Sequence, residues 1–180
     1  MNKWVIGGIV TALLVAFLVW LFNASSKPLT GTKQADLGRK HVTSLASPSA
    51  DLATSGDHYE NWIRAGVYET PQDDGNLIHS LEHGYVVMSY RCSEQLGKTQ
   101  QASESASEFS EECRQIKDQL KGVYEKKGKD KLIIVPRPQM DTKITLSAWN
   151  YMDKLDLFDE QRIENFIDSH RDQGPEKTKE

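Results

Sequence analysis

Residues Trp4 to Phe22 read WVIGGIVTALLVAFLVWLF, with no charged residue and a single polar side chain, Thr11. An α-helix rises about 1.5 Å per residue, so this run approaches the roughly 30 Å thickness of a bilayer's hydrocarbon core. No other stretch of the chain is apolar enough to surround such a helix, which makes a single N-terminal transmembrane helix the expectation. Lys3 supplies a short signal-like start, yet the run exceeds the roughly 7–15 apolar residues of a signal-peptide core. Ala24-Ser25-Ser26 is only a weak cleavage signal, so the helix is expected to stay as an anchor. Lys27, Lys33, Arg39 and Lys40 all follow the run. Counted literally, that excess would keep the carboxyl part in the cytoplasm. The very short amino tail and the cysteine pair favour export instead.

Cys92 and Cys113 are the only two cysteines. In an oxidising compartment such a pair most economically forms one disulfide. It would close a loop of about 20 residues and contribute roughly 3 kcal/mol through the unfolded chain's entropy. Their spacing is far from Cys-x-x-Cys, which argues against a redox pair or a thiolate metal site.

The formal net charge is −4. No basic stripe with interleaved aromatics appears, so nucleic acid is not an expected partner. A Gly-rich phosphate loop and a Gly-x-Ser-x-Gly elbow are also missing, so neither nucleotide binding nor a serine nucleophile has a sequence basis.

Four segments are expected. Residues 1–22 form the anchor and 23–50 a Ser/Thr/Lys/Pro-rich flexible tether. Residues 51–170 form the soluble domain, and 171–180 a polar tail. Tyr85–Tyr90, Leu132–Val135 and Lys143–Trp149 carry strand composition. Glu104–Lys127 carries Cys113, Ile116, Leu120 and Val123 at helical spacing, after a polar approach over 100–107. Asp159–His170 reads as a final helix opening on an acidic cap. The fold class is α+β, a small mixed sheet with packed helices. The first strand–helix–strand unit should pair in parallel. The third strand should return antiparallel after the Pro136–Asp141 turn.

Chemistry concentrates in His79-Ser80-Leu81-Glu82-His83-Gly84. On a helix, residues at i and i+4 share a face, so His79 and His83 can share one ion. His58 lies in the turn-like Thr54–Tyr59 and is a third candidate ligand. Glu82 and Asp57 are candidates for a further ligand or for an acceptor that orients an imidazole. Met140, in a proline-bounded turn, is a candidate thioether ligand. His41 falls in the tether and is left out. Imidazole with thioether favours copper, and imidazole with carboxylate favours zinc. Copper is the favoured ion and zinc is possible.

His-x-x-Glu-His is also the signature of one zinc peptidase class, with the glutamate as general base. A third possibility is a protein-interaction module whose histidines are structural. Tyr59, Trp62, Tyr68 and Tyr85 suit core packing or an apolar wall around a site.

Thr54–Tyr59, Trp62, Gly66-Val67-Tyr68 and His79–Gly84 resemble DUF3105, a bacterial family described only as a domain of unknown function. Pro136-Arg137-Pro138, Ala148-Trp149, Phe166-Ile167 and Pro175-Glu176 fit the same pattern. The resemblance implies a membrane-anchored or exported bacterial protein and supplies no reaction. The expectation is therefore a single-pass protein of the bacterial cytoplasmic membrane with its domain on the periplasmic or extracellular side. That domain captures or delivers a metal, with a metal-donor or acceptor protein as partner and no turnover.

Overall fold

Strands buried on both faces read as near-continuous apolar runs rather than as alternating ones. Val86–Tyr90 and Leu132–Pro136 have that character, and every residue of both is buried in the computed structural model of the chain. The structure describes residues 2–25, 30–45, 50–92 and 104–178, and within these it leaves out the side chains of 3, 6, 10, 21–25 and 104–110. The 100–103 approach and the possible cleavage site at Ser26 lie outside the described residues.

In chain order the helices are α1 (Lys3–Ser25), α2 (Asp74–Glu82), α3 (Glu104–Lys126) and α4 (Glu160–His170). The strands are β1 (Thr32–Lys33), β2 (Gly66–Val67), β3 (Val86–Tyr90), β4 (Leu132–Pro136), β5 (Ile144–Ala148) and β6 (Tyr151–Leu155). They form one sheet in the order β1-β6-β5-β3-β4-β2. The architecture is mixed α+β. β3 and β4 are parallel, with Val86 opposite Leu132 and Tyr90 opposite Pro136. β5 is antiparallel, as the turn before it predicts, but it joins β3 rather than β4. The other edge of β4 is taken by β2. β6 was not legible as a strand because Asp153 and Lys154 break its apolar sequence and three of its five residues are only half-buried. It follows β5 through a tight turn in which Asn150 takes φ +61°.

Successive residues of a strand point to opposite faces. Val86, Met88, Leu132 and Ile134 therefore face one core, shared with α3 and α4 through Leu120, Val123, Ile163 and Phe166. Val87, Ile133 and Val135 face a second core with Leu77, Leu81 and Tyr85. That second core holds α2 against the sheet. Cys92, just past β3, is disulfide-bonded to Cys113 of α3, with Cα atoms 5.5 Å apart.

Both flanking segments depart from the expected boundaries. Residues 30–45, expected as flexible tether, contribute β1 to the sheet. They also dock on the Thr54–His58 turn, where Gly56 N–H donates to the Gly38 carbonyl and Val42 N–H to the His58 carbonyl. Backbone groups paired in this way belong to the domain and not to a linker. The expected polar tail is docked as well, since Asp172 N–H donates to the Gly84 carbonyl and Glu176 N–H to that of Glu82.

Over the described residues, no helix is long and apolar enough to cross a membrane. The α1 backbone runs 23 residues.

α4 begins at Asp159, whose carboxylate accepts from Arg162 N–H at 3.0 Å. It ends at His170, buried against the rings of Tyr151 and Phe166 and donating Nε2–H to the Thr30 carbonyl at 2.7 Å. Burial pushes the His170 pKa below its ordinary value, while the Thr30 bond and Asp153 pull the other way. The unfolded chain therefore takes up this proton more readily than the folded one. The contribution is fully present above about pH 6.5 and is lost as pH falls toward the folded-state value. We expect His170→Gln to flatten the decline of stability between about pH 7 and pH 5 in urea titrations. An unchanged slope would contradict this account.

Candidate metal centre

α2 is nine residues long and buried over most of its circumference. Asp73 caps it, its side chain accepting from Gly75 N–H at 3.0 Å. Gly75 sits against the Tyr59 ring, where a Cβ would come within 2.7 Å of a ring carbon. This close approach brings the Tyr59 carbonyl to His79, four residues along the helix. His79 Nδ1 lies 2.7 Å from that oxygen. A carbonyl only accepts, so Nδ1 carries the hydrogen and the lone pair of neutral His79 is on Nε2. His58 repeats the arrangement, with Nδ1 2.8 Å from the Gly56 carbonyl. Two imidazoles from different segments are thus held in the same tautomer by the backbone, as metal-bound histidines are when their other ring N–H donates to a carbonyl or carboxylate.

Both free lone pairs point into the cluster. His58 is fully buried, and its Nε2 lies 2.9 Å from Glu82 Oε2 without forming a hydrogen bond. A neutral imidazole lone pair and a carboxylate oxygen repel at that distance unless a proton or a metal ion sits between them. His79 Nε2 lies 3.0 Å from His83 Nε2. His83 is the C-cap of α2, its N–H reaching the His79 and Ser80 carbonyls, so the i, i+4 relation survives although the helix ends between them. Donors on a tetrahedral zinc with bonds of about 2.0–2.1 Å stand roughly 3.3 Å apart. The observed separations open to that with a shift of about 0.3–0.4 Å.

His41, His58, His79 and Glu82 each offer a donor atom within 4.8 Å of the others. His79, His83 and Glu176 form a second such group. Burial lowers the His79 pKa, the Tyr59 bond opposes this, and the His83, His58 and His41 imidazoles lower it further. The net lowering keeps Nε2 available as a lone pair. Trp62 covers the cluster edge-on to His83, with ring centroids 4.8 Å apart, and forms part of its wall. Tyr85 lies in the core.

The structure therefore brings together His58, His79, His83 and Glu82 among the expected residues. It does not bring Met140 or Asp57. Met140 N–H bonds the Arg137 carbonyl beyond the last residue of β4, while His83 lies before the first residue of β3. Because β3 and β4 are parallel and in register, the two are at opposite ends of the pair. Asp57 is exposed and belongs to neither donor group. Ser80 Oγ bonds the Ile63 carbonyl and amide, so it serves the fold.

His41 was set aside with the tether, and Glu176 with the tail. His41 enters because its backbone pairs in parallel with His58, a pairing with no local sequence signal. Glu176 enters because its segment crosses the end of α2. A signal for that crossing does exist in Gly174, where a Cβ would lie 2.1 Å from the Glu82 carbonyl oxygen. Lys131 reinforces it, donating to the His83 and Thr178 carbonyls at 3.0 Å each.

What these features define is an α+β domain carrying an imidazole–carboxylate donor cluster between α2, a loop and the two docked flanks. Residues 41–180 match the family model described as protein of unknown function, DUF3105, and the chain belongs to that family. The matched region begins at His41 and so contains every donor named above. No curated protein and no solved structure matches the chain.

Gly174→Ala should displace the C-terminal segment from α2 and destabilise the fold by roughly 1–3 kcal/mol, as overpacking does. Thermal denaturation measures the loss. Faster amide exchange at Asp172 and Glu176 locates it.

Proposed function

We propose that this domain binds one divalent transition-metal ion in the cluster of His58, His79, His83 and Glu82, through His79 with either His58 and Glu82 or His83, with His41 and Glu176 at the margins, and works in metal capture or delivery. The observation that carries this is the tautomer constraint. His58 and His79 each tie Nδ1–H to a backbone carbonyl, which aims two lone pairs at the same group of donors. With Met140 at the far end of the strands, the donors are nitrogen and oxygen without thioether. That chemistry suits Cu(II) and Zn(II), and the Irving–Williams order places copper first. A protein that donates or accepts the ion is the partner such a role requires.

In this reading α1 anchors the chain at a bacterial cytoplasmic membrane, with the domain on the outer side. Support comes from the uncharged run Trp4–Phe22 and from the exposure of its large side chains, Trp20 at 62%. The disulfide fits an oxidising compartment. From Ser25 to Thr30, whose carbonyl His170 holds, the chain reaches at most roughly 17 Å. The domain would then lie close against the bilayer.

The structural-histidine reading has one contact in its favour. Arg39 lies 3.8 Å from Glu82 Oε1 and offers that carboxylate an alternative countercharge. Elemental analysis separates the two. The full chain, purified in detergent, incubated with Cu(II) or Zn(II) and desalted, should retain about one ion per chain. His79→Ala should weaken retention by about 10–100-fold or more, and Glu82→Gln by less. At a free ion concentration of about 100 times Kd, the folded state should gain about 2.7 kcal/mol. A chain that retains no ion, or a His79→Ala variant that retains it equally well, would end the metal reading.

A further inference from the structure

The two donor groups share His79. Its Nδ1–H is committed to Tyr59, so His79 has one lone pair to offer, on Nε2. Two ions cannot both use it. The groups are otherwise unlike. The inner one contains His58, fully buried, and Glu82, 3% exposed, with His41 at its margin. The outer one contains His83 and Glu176, and the Glu176 side chain is 52% exposed with its Oε2 3.8 Å from His83 Nε2. His41 belongs to the inner group alone, and Glu176 and His83 to the outer alone. Each group thus has its own solvent-facing donor, on different segments of the chain.

Resting on the metal-binding reading above, we propose that His79 is a pivot on which a single divalent cation exchanges between an outer position (His83, Glu176) and an inner position (His58, Glu82, His41). Transfer is a ligand exchange. The bond to His79 Nε2 persists while the bonds to His83 and Glu176 break and those to His58 and Glu82 form. The charge of the ion is unchanged and one carboxylate replaces another, so no oxidant is needed; a proton held between His58 Nε2 and Glu82 Oε2 in the empty inner position passes to the released Glu176 carboxylate or to solvent. The buried carboxylate of Glu82 makes the inner position the tighter one, because an anion in a low-dielectric site attracts the cation more strongly than a half-solvated one. Glu176 then governs how fast the ion enters and leaves. The C-terminal segment is built for that placement. Asp172 and Glu176 bond the carbonyls of Gly84 and Glu82, and Gly174 leaves no room for a side chain.

The test uses the full chain in detergent with Zn(II) and Cu(II). Isothermal titration gives stoichiometry and affinity. Stopped-flow transfer to an excess of EDTA gives the release rate. The wild type should bind one ion. Glu176→Gln keeps the backbone bond to Glu82 and should change affinity by less than about threefold while slowing release about tenfold or more. Glu82→Gln should weaken affinity about tenfold or more. Melting curves without metal confirm that both variants are folded, and Glu176→Asp should recover part of the release rate. Two ions bound per wild-type chain would overturn the pivot and leave the metal site standing. So would a Glu176→Gln variant whose release rate is unchanged, or one whose affinity falls as far as that of Glu82→Gln. Absence of binding by the wild type would overturn the metal reading itself, and the pivot with it.

Discussion

The hydrogen bond from His79 Nδ1 to the Tyr59 carbonyl joins the loop before β2 to the middle of α2. It fixes the tautomer of an imidazole that touches three others, with ring centroids 5.0 Å from His41, 4.9 Å from His58 and 4.5 Å from His83. Without it, His79 could place its hydrogen on Nε2, and the cluster would reduce to a chain of ordinary hydrogen bonds. With it, the central nitrogen is an acceptor, open to His83 Nε2–H or to a bound cation. His58 Nε2 facing the Glu82 carboxylate is costly unless a proton or a cation is shared. The Tyr59–Gly75 contact, the Asp73 cap and the second core all serve to hold this one bond.

α2 is the element on which these constraints meet. Its apolar residues Leu77, Ile78 and Leu81 anchor it in the second core, while His79 and Glu82 leave the same short helix toward the donor cluster. A helix buried over most of its surface cannot rotate to relieve an unfavourable contact. The donors therefore sit on a rigid support. The segments that close the cluster are less regular. The 30–45 segment is held through Ser55 Oγ, which accepts from Leu37 N–H, and through the bridge between His41 and His58. The C-terminal segment is held by Lys131, whose ammonium meets two carbonyls and the Asp172 carboxylate at 2.7 Å. A buried lysine is tolerated when its donors are used in this way.

Much of the scaffold was legible because its signals are local. The runs Val86–Tyr90 and Leu132–Val135 are β-rich, the spacing of Cys113, Ile116, Leu120 and Val123 is helical, and Asp159 caps a helix. The edges were not legible. β1 and β2 are two residues each, and β6 mixes Lys and Asp with Met and Leu. Such strands exist because a neighbour offers unpaired backbone groups, and composition does not record that. Met140 shows the same limit from the other side. Its proline-bounded turn looked unsuited to burial, yet it is 3% exposed.

Within the cluster the division is similar. His79, Glu82 and His83 could be placed together from the sequence, because helical geometry relates residues three and four apart. His58 was suspected from its nearness in sequence. His41 and Glu176 were assigned to a tether and a tail, since polar segments rich in Ser, Thr, Lys and Gly have no intrinsic reason to dock. They dock because β6, the Thr54–His58 turn and the end of α2 present backbone partners to them. The chain alone thus determined that His79 and His83 would share a face wherever their segment is helical, since periodicity is a property of consecutive residues. Only tertiary structure decided the rest of the donor set and the tautomers, because those depend on backbone carbonyls and flanking segments meeting across distances that no local pattern encodes.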